Sequence, residues 1–127
     1  MDITRRCDYA CRILRSAYEC GDSYISIADV AEKEDVPYSF ARSIQHDLVK
    51  AGFLKTIRGV RGGLTLDCDP HEVTLQEVIE ALQGPIGMSP CSVDCDYCNR
   101  SSGCEFNAVW CAADVLVAVS YTHLTLP

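Results

Sequence analysis

The chain lacks any apolar run long enough to cross a bilayer: its runs, such as Val115 to Val119, are a fraction of the roughly 20 residues a spanning helix needs. The opening, Met1-Asp2-Ile3-Thr4-Arg5-Arg6, carries charges but no apolar h-region, so no signal peptide is expected. These absences predict a soluble, cytoplasmic protein with no membrane partner. Enzymatic signatures are missing as well. There is no phosphate-binding loop and no Ser/His/Asp set, and His46, His71 and His123 have no partners in sequence. The expectation is a protein that is not an enzyme and has no small-molecule substrate. Zinc-ribbon spacing is incomplete too, because Cys95-x-x-Cys98 has no second copy.

Cysteine is what the chain has in excess, with nine in 127 residues. That length suits one domain able to bury a helical core, so a secreted disulfide framework is a poor fit. In a reducing cytosol, clustered thiols point to metal or redox chemistry. Charge is distributed unevenly. The net charge of −7 argues at first against nucleic acid. Yet residues 1–66 carry ten Lys/Arg against nine Asp/Glu, while residues 67–127 carry one against nine. Between Val36 and Arg61 the basic residues Arg42, Lys50, Lys55, Arg58 and Arg61 meet a single acid, Asp47. A local basic patch binds phosphates inside an acidic protein, because the field near the patch decides.

Periodicity predicts a mainly α fold. Ile3, Ala10, Ile13, Leu14 and Ala17 share one face of a first helix ending before Gly21-Asp22, with Asp8, Arg12 and Arg15 opposite. Ser26 to Asp29 matches a capping pattern that opens a short helix to about Glu34. After the tight connection Asp35-Val36-Pro37, another helix runs to about Lys50 and stops at Gly52. A longer helix followed by two short ones is the shape of a helix-turn-helix. Phe53 to Ile57 and Leu64 to Leu66, joined by Arg58-Gly59-Val60-Arg61-Gly62-Gly63, predict a β-hairpin wing with basic residues at its tip. Thr74 opens a further helix, burying Leu75, Val78, Ile79 and Leu82 and ending at Gly84-Pro85. The expected division is a winged helix-turn-helix at 1–69, a linking helix at 70–85, a cysteine-rich loop at 86–104, a dimerisation helix at 105–120, and an irregular or non-native tail at 121–127. The last helix carries Phe106, Val109, Trp110, Val115, Leu116 and Val119, too apolar for a lone surface helix, so packing between subunits is its expected use.

On a helical wheel, Phe40, Ala41, Ile44 and Leu48 share the side expected to pack on the first helix. Ser39, Arg42, Ser43, His46 and Lys50 share the other. An arginine among short hydroxyl side chains suits base edges in the major groove, Arg being able to bond guanine bidentately. His46 and Lys50, further along, suit phosphates, as do Arg58 and Arg61 on the wing. An ordinary amphipathic helix would explain the wheel but not the basic hairpin beyond it.

Residues 86–103 show neither helical nor strand period, and a structureless stretch of that length needs another source of order. Cys91, Cys95, Cys98 and Cys104 lie in it or at its edge, and thiolates select zinc or iron–sulfur clusters. From the residues alone two readings stand: a cluster-sensing DNA-binding regulator, and a cluster-free zinc-binding or thiol-switch DNA-binding protein. Cys7, Cys11, Cys20, Cys68 and Cys111 are isolated and are expected to act mostly as small apolar residues.

The layout resembles the iron–sulfur winged-helix repressor family that includes IscR and NsrR. The resemblance covers residues 1–119. It rests on Ile3-Thr4-Arg5-Arg6-x-Asp8-Tyr9-Ala10, the helix-turn-helix, the wing, the Leu82-Gln83-Gly84-Pro85 helix end, and the cysteine loop followed by Trp110. It implies a homodimer that binds palindromic double-stranded operator DNA and responds to the state of a [2Fe-2S] or [4Fe-4S] cluster sensing nitric oxide, redox state or cluster supply. The family's cysteine trio falls on Cys91, Cys98 and Cys104, with Cys95 as an extra thiol able to replace Cys91 or Cys98. Where IscR-like members have a histidine three residues after the last cysteine, this chain has Asn107, a poor ligand. Where NsrR-like members use an aspartate on the first helix of the other subunit, this chain has Asp8. The resemblance therefore assigns the fourth metal ligand to Asp8 of the partner subunit, with Cys11, one turn on, as a competing donor.

Overall fold

Thr4 starts the first helix: extended itself, it accepts a hydrogen bond from Cys7 N at 3.1 Å and so satisfies one of the open N–H groups of the first turn. Helix α1 then runs over Arg5–Glu19 and buries Cys7, Ala10, Ile13, Leu14, Ser16 and Ala17. The structure, a computed structural model, describes residues 2–59 and 62–122. Ser26 caps α2, Ile27–Lys33, by accepting from Asp29 N at 3.1 Å. Asp35, at φ 55°, makes the left-handed step that turns the chain toward α3, Tyr38–Lys50. That step lets Val36 N donate to Ala31 O at 2.9 Å and sets the Val36 side chain, 5% exposed, into the core.

Past α3, Gly52 at φ 90° reverses the chain into an antiparallel hairpin of β1, Leu54–Ile57, and β2, Gly63–Leu66. Leu54 pairs with Leu66 and Ile57 with Gly63. Ile25, just before α2, adds a bridge: Leu64 N donates to Ile25 O at 2.8 Å and Ile25 N to Leu64 O at 3.1 Å. This contact requires the glycine beside it, since a Cβ on Gly63 would stand 2.4 Å from Ile25 O. Thr74 and Glu77 form a reciprocal capping box that opens α4, Leu75–Gln83. Helix α4 seals α1 with Val78 and Ile79, and Gln83 reaches back to hold the opening of the chain, accepting from Thr4 N at 3.1 Å and donating to Asp2 O at 3.1 Å.

One core thus joins α1, α2, α3, the hairpin and α4. Beyond it the chain forms a short helix α5, Pro90–Val93, a 3-10 turn at Ser101–Gly103, and helix α6, Glu105–Thr122. No described residue beyond Ile79 is buried. The mainly α architecture with a two-stranded wing matches the sequence expectation.

Four details differ. Ile3, placed on the buried stripe by its spacing, is 43% exposed because it precedes the helix and its 3.6-residue period. Phe40 is 54% exposed. The stripe that meets α1 is Ala41, Ile44 and Leu48, and Phe40 lies at its margin, where its ring meets Tyr9 at 6.4 Å. The stretch 86–104 is not structureless, since α5 and the 3-10 turn interrupt it. Helix α6 runs through residues 121 and 122 of the expected irregular tail, no glycine or proline intervening before Pro127; residues 123–127 of that tail lie outside the described residues.

Candidate nucleic-acid interface and metal centre

Because Ala41, Ile44 and Leu48 turn inward, the opposite face of α3 is left to solvent, and Ser39, Arg42, Ser43, His46 and Lys50 are all exposed on it. Two of these are already oriented. The Arg42 guanidinium stands 5.9 Å from the centre of the Tyr38 ring, a cation–π contact that props it at the start of the helix. Ser43 Oγ accepts from Arg6 at 3.1 Å, and the same guanidinium pairs with Asp47. Arg6 therefore neutralises the single acid of the basic patch, and its hydrogen bond is the main reason the Asp47 carboxyl is held below its ordinary value. Arg58 and Lys55 are exposed on the hairpin, whereas Arg61 lies outside the described residues. The helical wheel does not single out Tyr38, and the charge count does not single out Arg6; the aromatic–x3–arginine spacing within α3 is the available signal for the first.

The turn of the helix-turn-helix is fastened to α1 through Glu34. Its carboxylate, 8% exposed, accepts from Ser16 Oγ at 2.7 Å and from Arg15 at 2.6 Å, and its carbonyl accepts from Arg12 at 3.2 Å. Burial pushes the Glu34 carboxyl up, but the Arg15 and Ser16 hydrogen bonds outweigh it, leaving the group below its usual value. These contacts hold α1 against the end of α2 and the turn that leads into α3.

The cysteines divide between two places. Cys91 lies in α5, Cys98 in the turn after it and Cys104 at the foot of α6; all three are half-buried, while Cys95 is exposed. Ser89 Oγ stands 3.4 Å from Cys91 Sγ, and hydrogen bonds from Ser89 and then Asn107 hold that thiol below its ordinary value. Asn107 also donates to Cys91 O at 3.1 Å and accepts from Cys111 Sγ at 3.7 Å. Cys91, Cys95, Asn107 and Cys111 line one cavity of about 370 Å³; Cys98 and Cys104 are not in its wall. Cys111 is isolated along the sequence, yet the spacing Cys104, Asn107, Cys111, Asp114 marks one face of a helix and is the signal that could have placed it here.

Among the described residues, the one group of three donors close enough for a single ion is Asp94, Cys95 and Asp96, all exposed. The trio Cys91, Cys98 and Cys104 is spaced more widely than that. Thiols spread from α5 to the foot of α6 fit a multi-iron cluster, whose ligands bind different irons, better than a lone zinc ion, which needs all its donors at one point.

The second place is α1. Asp8 is half exposed and pairs with Arg12 at 2.9 Å. It borders an apolar cavity of about 280 Å³ between α1 and α4, shared with Ile3, Cys7, Cys11, Leu75 and Ile79. A hydrogen bond from the Cys11 thiol to Cys7 pushes Cys11 up, with burial adding to it, and draws Cys7 down against the opposing effect of burial. Within this chain, then, Asp8 borders a different cavity from Cys91 and Cys95.

Residues 3–126 match the Rrf2 family, described as iron-dependent transcriptional regulators. The helix-turn-helix-type transcriptional regulator NsrR of Shouchella clausii is 26% identical, over 86% of this chain and 74% of that protein. The regulator IscR of Vibrio campbellii is 26% identical, over 87% of this chain and 66% of that protein. The fold is shared with CymR, the global cysteine regulator of B. subtilis, at a TM-score of 0.81 and 21% identity, covering 99% of this chain and 93% of that one.

Proposed function

The chain belongs to the Rrf2 family of DNA-binding transcriptional regulators, and from that premise we propose that it is a repressor whose operator affinity is set by an iron–sulfur cluster in its C-terminal arm. Cys91, Cys98 and Cys104 hold the cluster, [2Fe-2S] or [4Fe-4S], and Asp8 of the partner subunit occupies the fourth position. The observation that carries this reading is that the arm holds Cys91, Cys98 and Cys104 half-buried between α5 and the foot of α6, while none of its described residues is buried. Bonds to a metal centre stand in there for a hydrophobic core.

The cluster supplies reactivity toward nitric oxide or oxidants, and everything else falls to the chain. Ser39, Arg42 and Ser43 face base edges, while His46, Lys50, Arg58 and Arg61 face phosphates of a palindromic operator. Phe106, Val109, Val115 and Leu116, from 57% to 71% exposed, pair two copies into a homodimer. An Asp8 donor ties the arm of one subunit to α1 of the other, and α1 packs on the recognition helix in the shared core and holds the end of α2 through Glu34. Loss of the cluster releases that tie and changes the spacing of the two recognition helices. Cytoplasmic placement and reduced thiols belong to the same reading.

Anaerobic purification with iron and sulfide quantitation tests it. Visible sulfide-to-iron charge transfer, together with operator binding that changes when the cluster is removed, is the expected result. Colourless protein with one zinc per chain and unchanged operator binding would replace it with the zinc or thiol-switch reading.

A further inference from the structure

Helix α6 turns one face toward the segment that carries the first cluster cysteine. Cys104, Asn107, Cys111 and Asp114 are spaced three, four and three residues apart, and such residues stack above one another along a helix. Three contacts fix what this face meets. Asp114 accepts from Met88 N at 2.6 Å, Asn107 donates to Cys91 O at 3.1 Å, and Cys111 points its thiol at Asn107 Oδ1, 3.7 Å away. Cys111 thereby shares the wall of one cavity with Cys91 and Cys95. Helical Cα–Cβ bonds tilt toward the N-terminus, so the Cys111 thiol leans down the helix toward the cysteine loop rather than away from it. The rival donor starts from a different position. Asp8 is engaged by Arg12 at 2.9 Å and borders another cavity of its own protomer.

We propose that Cys111 is a second donor for the fourth position of the metal centre, an intrachain thiolate that completes the site when the partner's Asp8 is absent. The inference rests on the cluster reading above and adds an order of events. A single protomer holds the centre with Cys91 and Cys111, which already share one cavity wall, and with Cys98 and Cys104, which close in from outside it. Pairing of two copies then brings in Asp8, which leaves Arg12 and displaces Cys111. Only that exchange couples the centre to α1, so the DNA-facing helices sense the cluster in the dimer and not in the protomer. Asn107 is a positioning residue here: an amide too weak to ligate, it fixes the backbone of Cys91 and the thiol of Cys111 on the same side of α6.

The test separates the two donors by removing the partner. Leu116 is 71% exposed, so Leu116→Asp is tolerated by the protomer while opposing self-association. Anaerobically reconstituted Leu116→Asp is expected to be monomeric by light scattering and to keep wild-type iron, sulfide and charge-transfer absorbance. Leu116→Asp/Cys111→Ser is expected to lose them, and Leu116→Asp/Cys111→His to recover them, with unchanged helical circular dichroism in all three. The inference is overturned if the monomer with Cys111→Ser keeps its iron and sulfide, or if Leu116→Asp alone loses them. Wild-type dimer that takes up no iron and sulfide would instead remove the cluster reading itself, and the inference with it.

Discussion

The two parts of this chain are held together by different means. Residues 2–83 bury a continuous apolar core reaching from α1 through the hairpin to α4, and several of its side chains, Ile13, Ile44 and Leu48 among them, have no exposure at all. Residues 84–122 contain a helix of 18 residues, and none of residues 84–120 is buried, with Phe106 and Leu116 both 71% exposed. Composition alone does not explain this, because the apolar residues of α6 are as large as those of α3. The difference is one of partners. Helix α3 packs against α1 and α2, whereas α6 touches α4 and α5 and leaves large apolar side chains exposed. The described residues of the first part thus carry a core of their own, and those of the arm do not.

The strongest way to break the comparison is to charge the arm. Leu116→Asp is expected to abolish the proposed dimer in light scattering, since each large apolar side chain contributes about 1.5–3 kcal/mol when buried. Its protomer should melt like the wild-type protomer; a collapse of the reading head in the same variant would show that the two parts share one core. The complementary change, Ile44→Ala, is expected to cost about 2–5 kcal/mol in urea unfolding, because it opens a cavity at a side chain with no exposure.

Arg42→Ala sharpens the functional side of the comparison. It should cost about 1–3 kcal/mol on the preferred operator and relax base preference at one position, leaving iron and sulfide content unchanged. Tyr38→Ala should reproduce part of that loss, about 0.5–1 kcal/mol, by removing the ring on which Arg42 rests.

Glu34→Gln is expected to destabilise the head by about 1–3 kcal/mol, since Arg15 and Ser16 lose a charged acceptor. The pH dependence has a definite sign. Glu34 is held below its ordinary value in the folded protein, so its contribution is fully present above the unfolded glutamate pKa of about 4.3 and is lost as pH falls through the lower folded value. Acid titration of wild type and Glu34→Gln should therefore converge at low pH; curves that stay parallel would remove Glu34 from the account. The smallest effect is expected from Arg58→Ala, which should weaken binding to all duplexes alike and reduce the salt slope by about one phosphate contact.

Features set by neighbours within four residues were legible in the sequence. The Ser26 and Thr74 caps, the glycine stop at Gly52 and the inward stripe of Ala41, Ile44 and Leu48 are of this kind, because capping and helical period act over one turn. The hairpin followed from two apolar strands around glycines, and the basic patch from a count of charges. Other features depend on how the helices cross, and no local pattern encodes that. Ile25 pairs with Leu64, Arg6 with Ser43 and Asp47, and Gln83 with Thr4, all far apart along the chain. Phe40 has the right period for the core yet lies at its margin, since the breadth of a buried stripe is set by the neighbouring helix. In the arm, the sequence by itself determined that thiols would cluster and that α6 would be apolar. Only the tertiary structure decided that Cys111 faces Cys91 across Asn107, because that depends on the return of residues 86–93 along α6, held by Asp114 and Asn107 at opposite ends of one helical face.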